Sequence, residues 1–94
     1  MRSSSSNNYR RGYYAERKAS EELRREGYFV IRAAGSRGPV DLVALGKDVR
    51  LIQVKRGKGA LREGAREILR VNIPGVSREV WVYNGRRGFV KEVV

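Results

Sequence analysis

The chain contains no cysteine and no histidine. Those two absences exclude cysteine nucleophiles, Cys/His zinc sites, histidine general bases and disulfide scaffolds. Any metal must be held by oxygen ligands, which points to Mg²⁺ or Mn²⁺ rather than zinc. No apolar run approaches the length that spans a bilayer, so no membrane partner is expected. Residues Met1 to Asn8 lack the apolar segment of a secretory signal, and a cytoplasmic location is the default expectation. Acidic side chains are also scarce, with 10 Asp and Glu against 21 Lys and Arg.

That imbalance gives a net charge of +11 on 94 residues, and sixteen of the basic residues are Arg. Arg presents a planar fork suited to bidentate phosphate contacts. A small domain with this charge is expected to bind nucleic acid; an RNA-binding ribosomal-type protein or an anionic membrane surface are blander readings. The length accommodates one domain with one modest core. We expect a flexible polar lead-in over residues 1–8 and a single folded domain over residues 9–94.

The expected element order is α-β-β-β-α-β-β, an α/β sandwich around a mixed sheet. Tyr9, Tyr13, Ala19 or Ser20, and Leu23 recur at helical spacing and predict a helix from Tyr9 to about Glu26, closed by Gly27. Strands follow at Tyr28–Ile31, Pro39–Leu45 and Val49–Arg56, the last two joined by a tight turn at Gly46-Lys47-Asp48. A second helix is predicted over Ala60–Val71, with Leu61, Ala65, Ile68 and Leu69 as its apolar stripe and Arg62, Arg66 and Arg70 on another face. Glu79–Tyr83 and Arg87–Val93 read as a closing hairpin around Asn84-Gly85-Arg86, and its apolar residues over Val80–Tyr83 are candidates for core or dimer contacts.

Four residues resist a purely architectural reading. Glu16 falls on or beside the apolar stripe of the first helix; it could be an edge residue paired with Arg. Asp41 opens the apolar stretch Asp-Leu-Val-Ala-Leu; it could be a turn residue at a strand start. Gln53 and Lys55 interrupt an apolar strand and, two apart, point to the same side. Unless outward-facing on an edge strand, such a pair is costly to bury. Asp41, the Gln53 side-chain oxygen and a strand carbonyl could hold a hard cation, which Glu16 could reach directly or through water. Lys55 could orient a water or stabilise developing negative charge. Arg10, Arg11, Arg37, Arg56 and Lys58 flank these residues, and Arg62 and Arg66 extend the basic surface.

With these residues in place, the chain resembles the PD-(D/E)XK nuclease superfamily. More narrowly, Glu16-Arg17, Gly27-Tyr28, the stretch from Val30 to Ser36, Asp41-Leu42-Val43-Ala44-Leu45 and Gln53-Val54-Lys55 resemble archaeal Holliday junction resolvases. The resemblance implies a restriction-endonuclease-like fold and a DNA endonuclease dependent on Mg²⁺ or Mn²⁺. It implies that Glu16, Asp41 and Gln53 collect the metal and that Lys55 assists the attacking water. It also implies a catalytic part for Ser36, the matching loop serine. Resolvases of this kind act as homodimers on four-way junctions, pairing a twofold protein with a twofold substrate.

The departure is Gln53, where resolvases usually carry Glu. A neutral ligand lowers the negative charge of the site and weakens metal binding. Gln-x-Lys also occurs in other active branches, including Mrr-like restriction endonucleases. The alternatives are therefore a restriction-like or repair nuclease acting on duplex DNA, or a DNA-binding module of the same fold without activity.

Overall fold

A computed structural model describes the backbone of residues 4–33 and 38–94 and the side chains of residues 13–33 and 38–94. Ser36, Arg37 and the side chains of Arg10 and Arg11 lie outside the described residues. Helix α1 spans Ser4–Arg25, starting earlier than the expected Tyr9. Once a helix is nucleated, adding a residue costs little, and Ser and Asn are weak helix formers rather than breakers. At the other end Gly27 takes φ +97°, and the Tyr28 N–H closes back on the Leu23 carbonyl at 3.1 Å. Only glycine adopts that conformation freely, so the helix stops where the sequence says it should.

Five strands follow in one mixed sheet: β1 (Phe29–Arg32), β2 (Leu42–Leu45), β3 (Val49–Arg56), β4 (Ser77–Tyr83) and β5 (Phe89–Val93). Their order in the sheet is their order in the chain. β1, β2 and β3 run antiparallel in turn, β3 and β4 are parallel, and β5 returns antiparallel to β4. Helix α2 (Ala60–Ile68) makes the crossover that a parallel pair requires. The expected element order therefore holds, and the architecture is a restriction-endonuclease-like α/β fold.

Several boundaries and faces differ from expectation. β2 begins at Leu42, yet its pairing reaches one residue further: the Asp41 N–H donates to the Ile52 carbonyl at 2.9 Å, and the Asp41 carbonyl accepts the Ala33 N–H at 2.9 Å. α2 ends at Ile68 rather than Val71, leaving Arg70 beyond the helix. The Arg70 and Val71 N–H groups bond three residues back, to Glu67 and Ile68, in a tightened final turn. The link between β4 and β5 is a 3₁₀ turn over Gly85–Arg87, which overlaps the expected Asn84-Gly85-Arg86 and runs one residue further.

Successive residues of a strand face opposite sides, and this assigns the helices. Ala19 and Leu23 of α1 pack with Val30, Leu42, Ala44, Ile52 and Trp81 on one face. α2 rests on the other, where Gly64 faces Val80 and the stem of Lys55. Its buried line is Ala60, Gly64 and Ile68; of the expected stripe only Ile68 is buried, and Leu69 is half exposed. Val80 and Trp81 are fully buried, so they are core and supply no dimer contact. Exposed apolar area lies instead on Phe29, Ile31 and Leu45.

Candidate active site

The β2–β3 ladder ends where Leu42 pairs with Ile52, and the Asp41 N–H also bonds the Ile52 carbonyl. The Asp41 carboxylate takes the Val54 N–H through Oδ2 at 2.8 Å. Val54 lies between Gln53 and Lys55, whose side chains share the face that α2 covers. Burial pushes the Asp41 pKa up to about 6. The Val54 N–H pulls it down, Glu16 pushes it up, Lys55 pulls it down and Glu67 pushes it up, in descending weight.

Gln53 is 5% exposed, so its amide is a buried polar group in need of partners. Its Nε2 donates to Glu67 Oε1 on α2 at 2.9 Å. Its Oε1 is the one buried side-chain nitrogen or oxygen among the described residues with no hydrogen-bond partner. Lys55 lies further along the same face and donates to Glu63 Oε1 at 3.3 Å and Glu67 Oε2 at 3.4 Å. Burial alone would lower the pKa of its ammonium, but the bonds to Glu63 and Glu67 outweigh burial and hold it above the ordinary value. Lys55 is therefore a cation at neutral pH and no general base.

Glu16 approaches from α1, on the other side of the sheet. Its Oε1 accepts Arg32 Nε at 2.9 Å, and the Arg32 guanidinium lies 4.5 Å from the Tyr13 ring centre. Its charge reaches Asp41. The structure thus brings Asp41, Gln53 and Lys55 together at one end of β2 and β3, with Glu16 in electrostatic range and bound to Arg32. No group of three Asp and Glu side chains among the described residues converges closely enough to hold a metal by itself.

Glu63 and Glu67 were not singled out from the sequence. Their signal was there: two acids four apart on a helix otherwise marked by Arg62, Arg66 and Arg70. Four of the basic candidates, Arg56, Lys58, Arg62 and Arg66, lie among the residues with described side chains. Arg56 closes β3 with its guanidinium 5.0 Å from the Tyr83 ring centre. Lys58 follows in the loop, lining an open groove with Leu61, Val82, Tyr83 and Asn84 that does not include Asp41 or Gln53. Arg62 and Arg66 are exposed on α2.

A family model for archaeal Holliday junction resolvases matches residues 7–67. The chain belongs to that family. The matched span runs from α1 into the end of α2 and holds Glu16, Asp41, Gln53, Lys55 and Glu67. At family level the protein is a Holliday junction resolvase-like nuclease, with a place in DNA recombination and repair and DNA junctions as its binding partner. A comparison with curated proteins returned no match. No helix among the described residues is long and apolar enough to cross a membrane.

Proposed function

We propose that this resolvase-family protein is a Mg²⁺- or Mn²⁺-dependent endodeoxyribonuclease that cuts four-way DNA junctions as a homodimer. The observation that carries this reading is the Asp41 carboxylate bonded to the Val54 N–H, the backbone group between Gln53 and Lys55. The donors suit a hard cation: Asp41 offers a desolvated carboxylate, and Gln53 Oε1 is a buried acceptor left without a partner. Asp41 and Gln53 would hold the ion, with Glu16 alongside, and the ion would supply Lewis acidity and lower the pKa of a water.

The remaining work belongs to the chain's own side chains. The Val54 N–H fixes the Asp41 carboxylate in orientation. The protonated Lys55 donates to the attacking water or stabilises charge growing on the phosphate. Arg56, Lys58, Arg62 and Arg66 hold flanking phosphates by charge, and Arg10, Arg11 and Arg37 extend that role, with Ser36 in the site. The exposed Phe29, Ile31 and Leu45 offer an apolar patch to a second copy of the chain. Acting on chromosomal DNA, such an enzyme works in the cytoplasm.

The test is cleavage of a synthetic four-way junction and of a matching linear duplex with Mn²⁺. Wild type cuts the junction in preference, and Asp41→Asn loses on the order of a hundredfold or more in rate, beyond the cost of losing an outer-shell partner. Equal cleavage by both proteins sinks the site. Preference for the duplex favours a restriction-like or repair nuclease instead. Junction binding with neither Mn²⁺ uptake nor cleavage favours a non-catalytic DNA-binding module.

A further inference from the structure

Building on the metal-dependent reading above, we infer that Glu67 of α2 supplies the carboxylate that position 53 lacks, so that Asp41, the Gln53 amide oxygen and Glu67 form the ligand set. Three observations converge. Glu67 Oε1 accepts the Gln53 amide at 2.9 Å, which puts a helix carboxylate against the residue next to Val54, whose N–H holds Asp41. That bond commits Nε2 and fixes the amide's orientation, leaving Oε1 buried and without a partner. The charge of Glu67 is felt at Asp41, so the two carboxylates share one electrostatic neighbourhood.

The arrangement also gives the glutamine a physical reason. A glutamate at position 53 would press one carboxylate on another across the present Gln53–Glu67 contact, and one of the two would have to hold a proton. The amide turns that repulsion into a hydrogen bond while keeping an oxygen donor. Lys55 does not depend on Glu67 alone, because Glu63 lies 3.3 Å from the same ammonium. Its second ion pair reaches Glu67 Oε1 at 3.3 Å. The acid has moved from strand to helix, and the count of carboxylates is preserved.

The experiment is Mn²⁺ titration of the full chain without DNA, followed by the electron paramagnetic resonance signal of free Mn²⁺. Circular dichroism melts accompany each variant. Glu67→Gln is isosteric and at a partly exposed position, so it keeps the fold. Removing one charged ligand weakens Mn²⁺ binding by about tenfold or more. Glu21→Gln, the same charge change on the outer face of α1, shifts it by less than about twofold because a remote charge is screened. The exchange Gln53→Glu with Glu67→Gln returns the carboxylate to the strand and recovers affinity to within about threefold of wild type. Wild-type binding by Glu67→Gln, with binding lost in Asp41→Asn, overturns the inference and leaves the metal-dependent reading standing. Failure of the exchange to recover binding also overturns it. A wild type that takes up no Mn²⁺ overturns both.

Discussion

Asp41 sits at the cost end of the molecule's energetics. Its carboxylate is buried enough for its pKa to reach about 6, although it accepts a backbone N–H. An acid whose folded pKa is raised stabilises the fold below its unfolded pKa, and that contribution is lost as pH rises through the folded pKa. Here the loss falls between about pH 4 and about pH 6. Asp41→Asn keeps an oxygen for the Val54 N–H and removes the charge. It therefore melts higher than metal-free wild type at pH 8, by on the order of 1–2 kcal/mol after discounting for solvent screening, and close to wild type at pH 4. Thermal melts at the two pH values measure the difference; a gap of equal size at both would refute the buried charge as its cause. At this scale much was legible. Asp41, Gln53 and Lys55 stand out because their side chains are costly inside strands. Glu67 was not legible: whether a helix carboxylate meets Gln53 depends on which helix covers which sheet face, and no local pattern records that.

Between elements, the contact that places α2 runs through a residue with no side chain. A methyl group at Gly64 would lie 2.6 Å from Val80 Cγ1 and 3.3 Å from the Lys55 Cγ. Gly64→Ala gains up to about 1 kcal/mol of helix propensity. It also overpacks the interface at a cost of about 1–3 kcal/mol, and the steric term wins because Val80 is fully buried. A net loss in urea unfolding is expected, and adding Val80→Ala relieves part of it. Additive losses in that double-mutant cycle would contradict the steric account. This also explains the misplaced stripe of α2. Hydropathy marks Leu61, Ala65, Ile68 and Leu69, of which only Ile68 is buried; the real contact line is Ala60, Gly64 and Ile68. Close approach is written in small residues, to which apolar periodicity is blind. α1 repeats the lesson, burying Ala15, Ala19 and Leu23 while Tyr13 stays largely exposed.

Across the whole molecule, the candidate site and the main ion-pair cluster lie on opposite faces of β3. The face toward α1 carries a buried cluster. Arg50 meets Glu79 twice at 2.8 Å, and Ser77 and the Trp81 indole donate to the same carboxylate at 2.8 and 2.9 Å. Arg50 also reaches Glu26 beyond α1 at 3.3 Å, tying helix, β3 and β4 together. Burial pushes the Glu79 pKa up, but the bonds from Arg50, Trp81 and Ser77 outweigh it and hold the group below its ordinary value. A depressed acid contributes stability that is present above its unfolded pKa, about 4.3 for Glu, and lost as pH falls through the folded value. Glu79→Gln leaves Arg50 with only the more exposed Glu26 as counter-charge and costs on the order of 3 kcal/mol at pH 7. The cost shrinks below pH 4, as denaturant melts across pH 3–7 would register; a loss unchanged over that range would contradict the linkage. From sequence, Arg50 and Glu79 were a strand residue and a strand start, separated by 28 residues. Only the parallel register of β3 and β4 joins them, and parallel pairing across a helix is the least local relation in this fold.

That division has an optical corollary. The chain's single tryptophan, Trp81, is fully enclosed, its indole bonded to Glu79 and its ring lying beneath Lys91. Its emission is therefore governed by the sheet's interior and not by the exposed basic surface of Lys58, Arg62 and Arg66. The molecule carries a built-in fluorophore that reports whether the fold is intact.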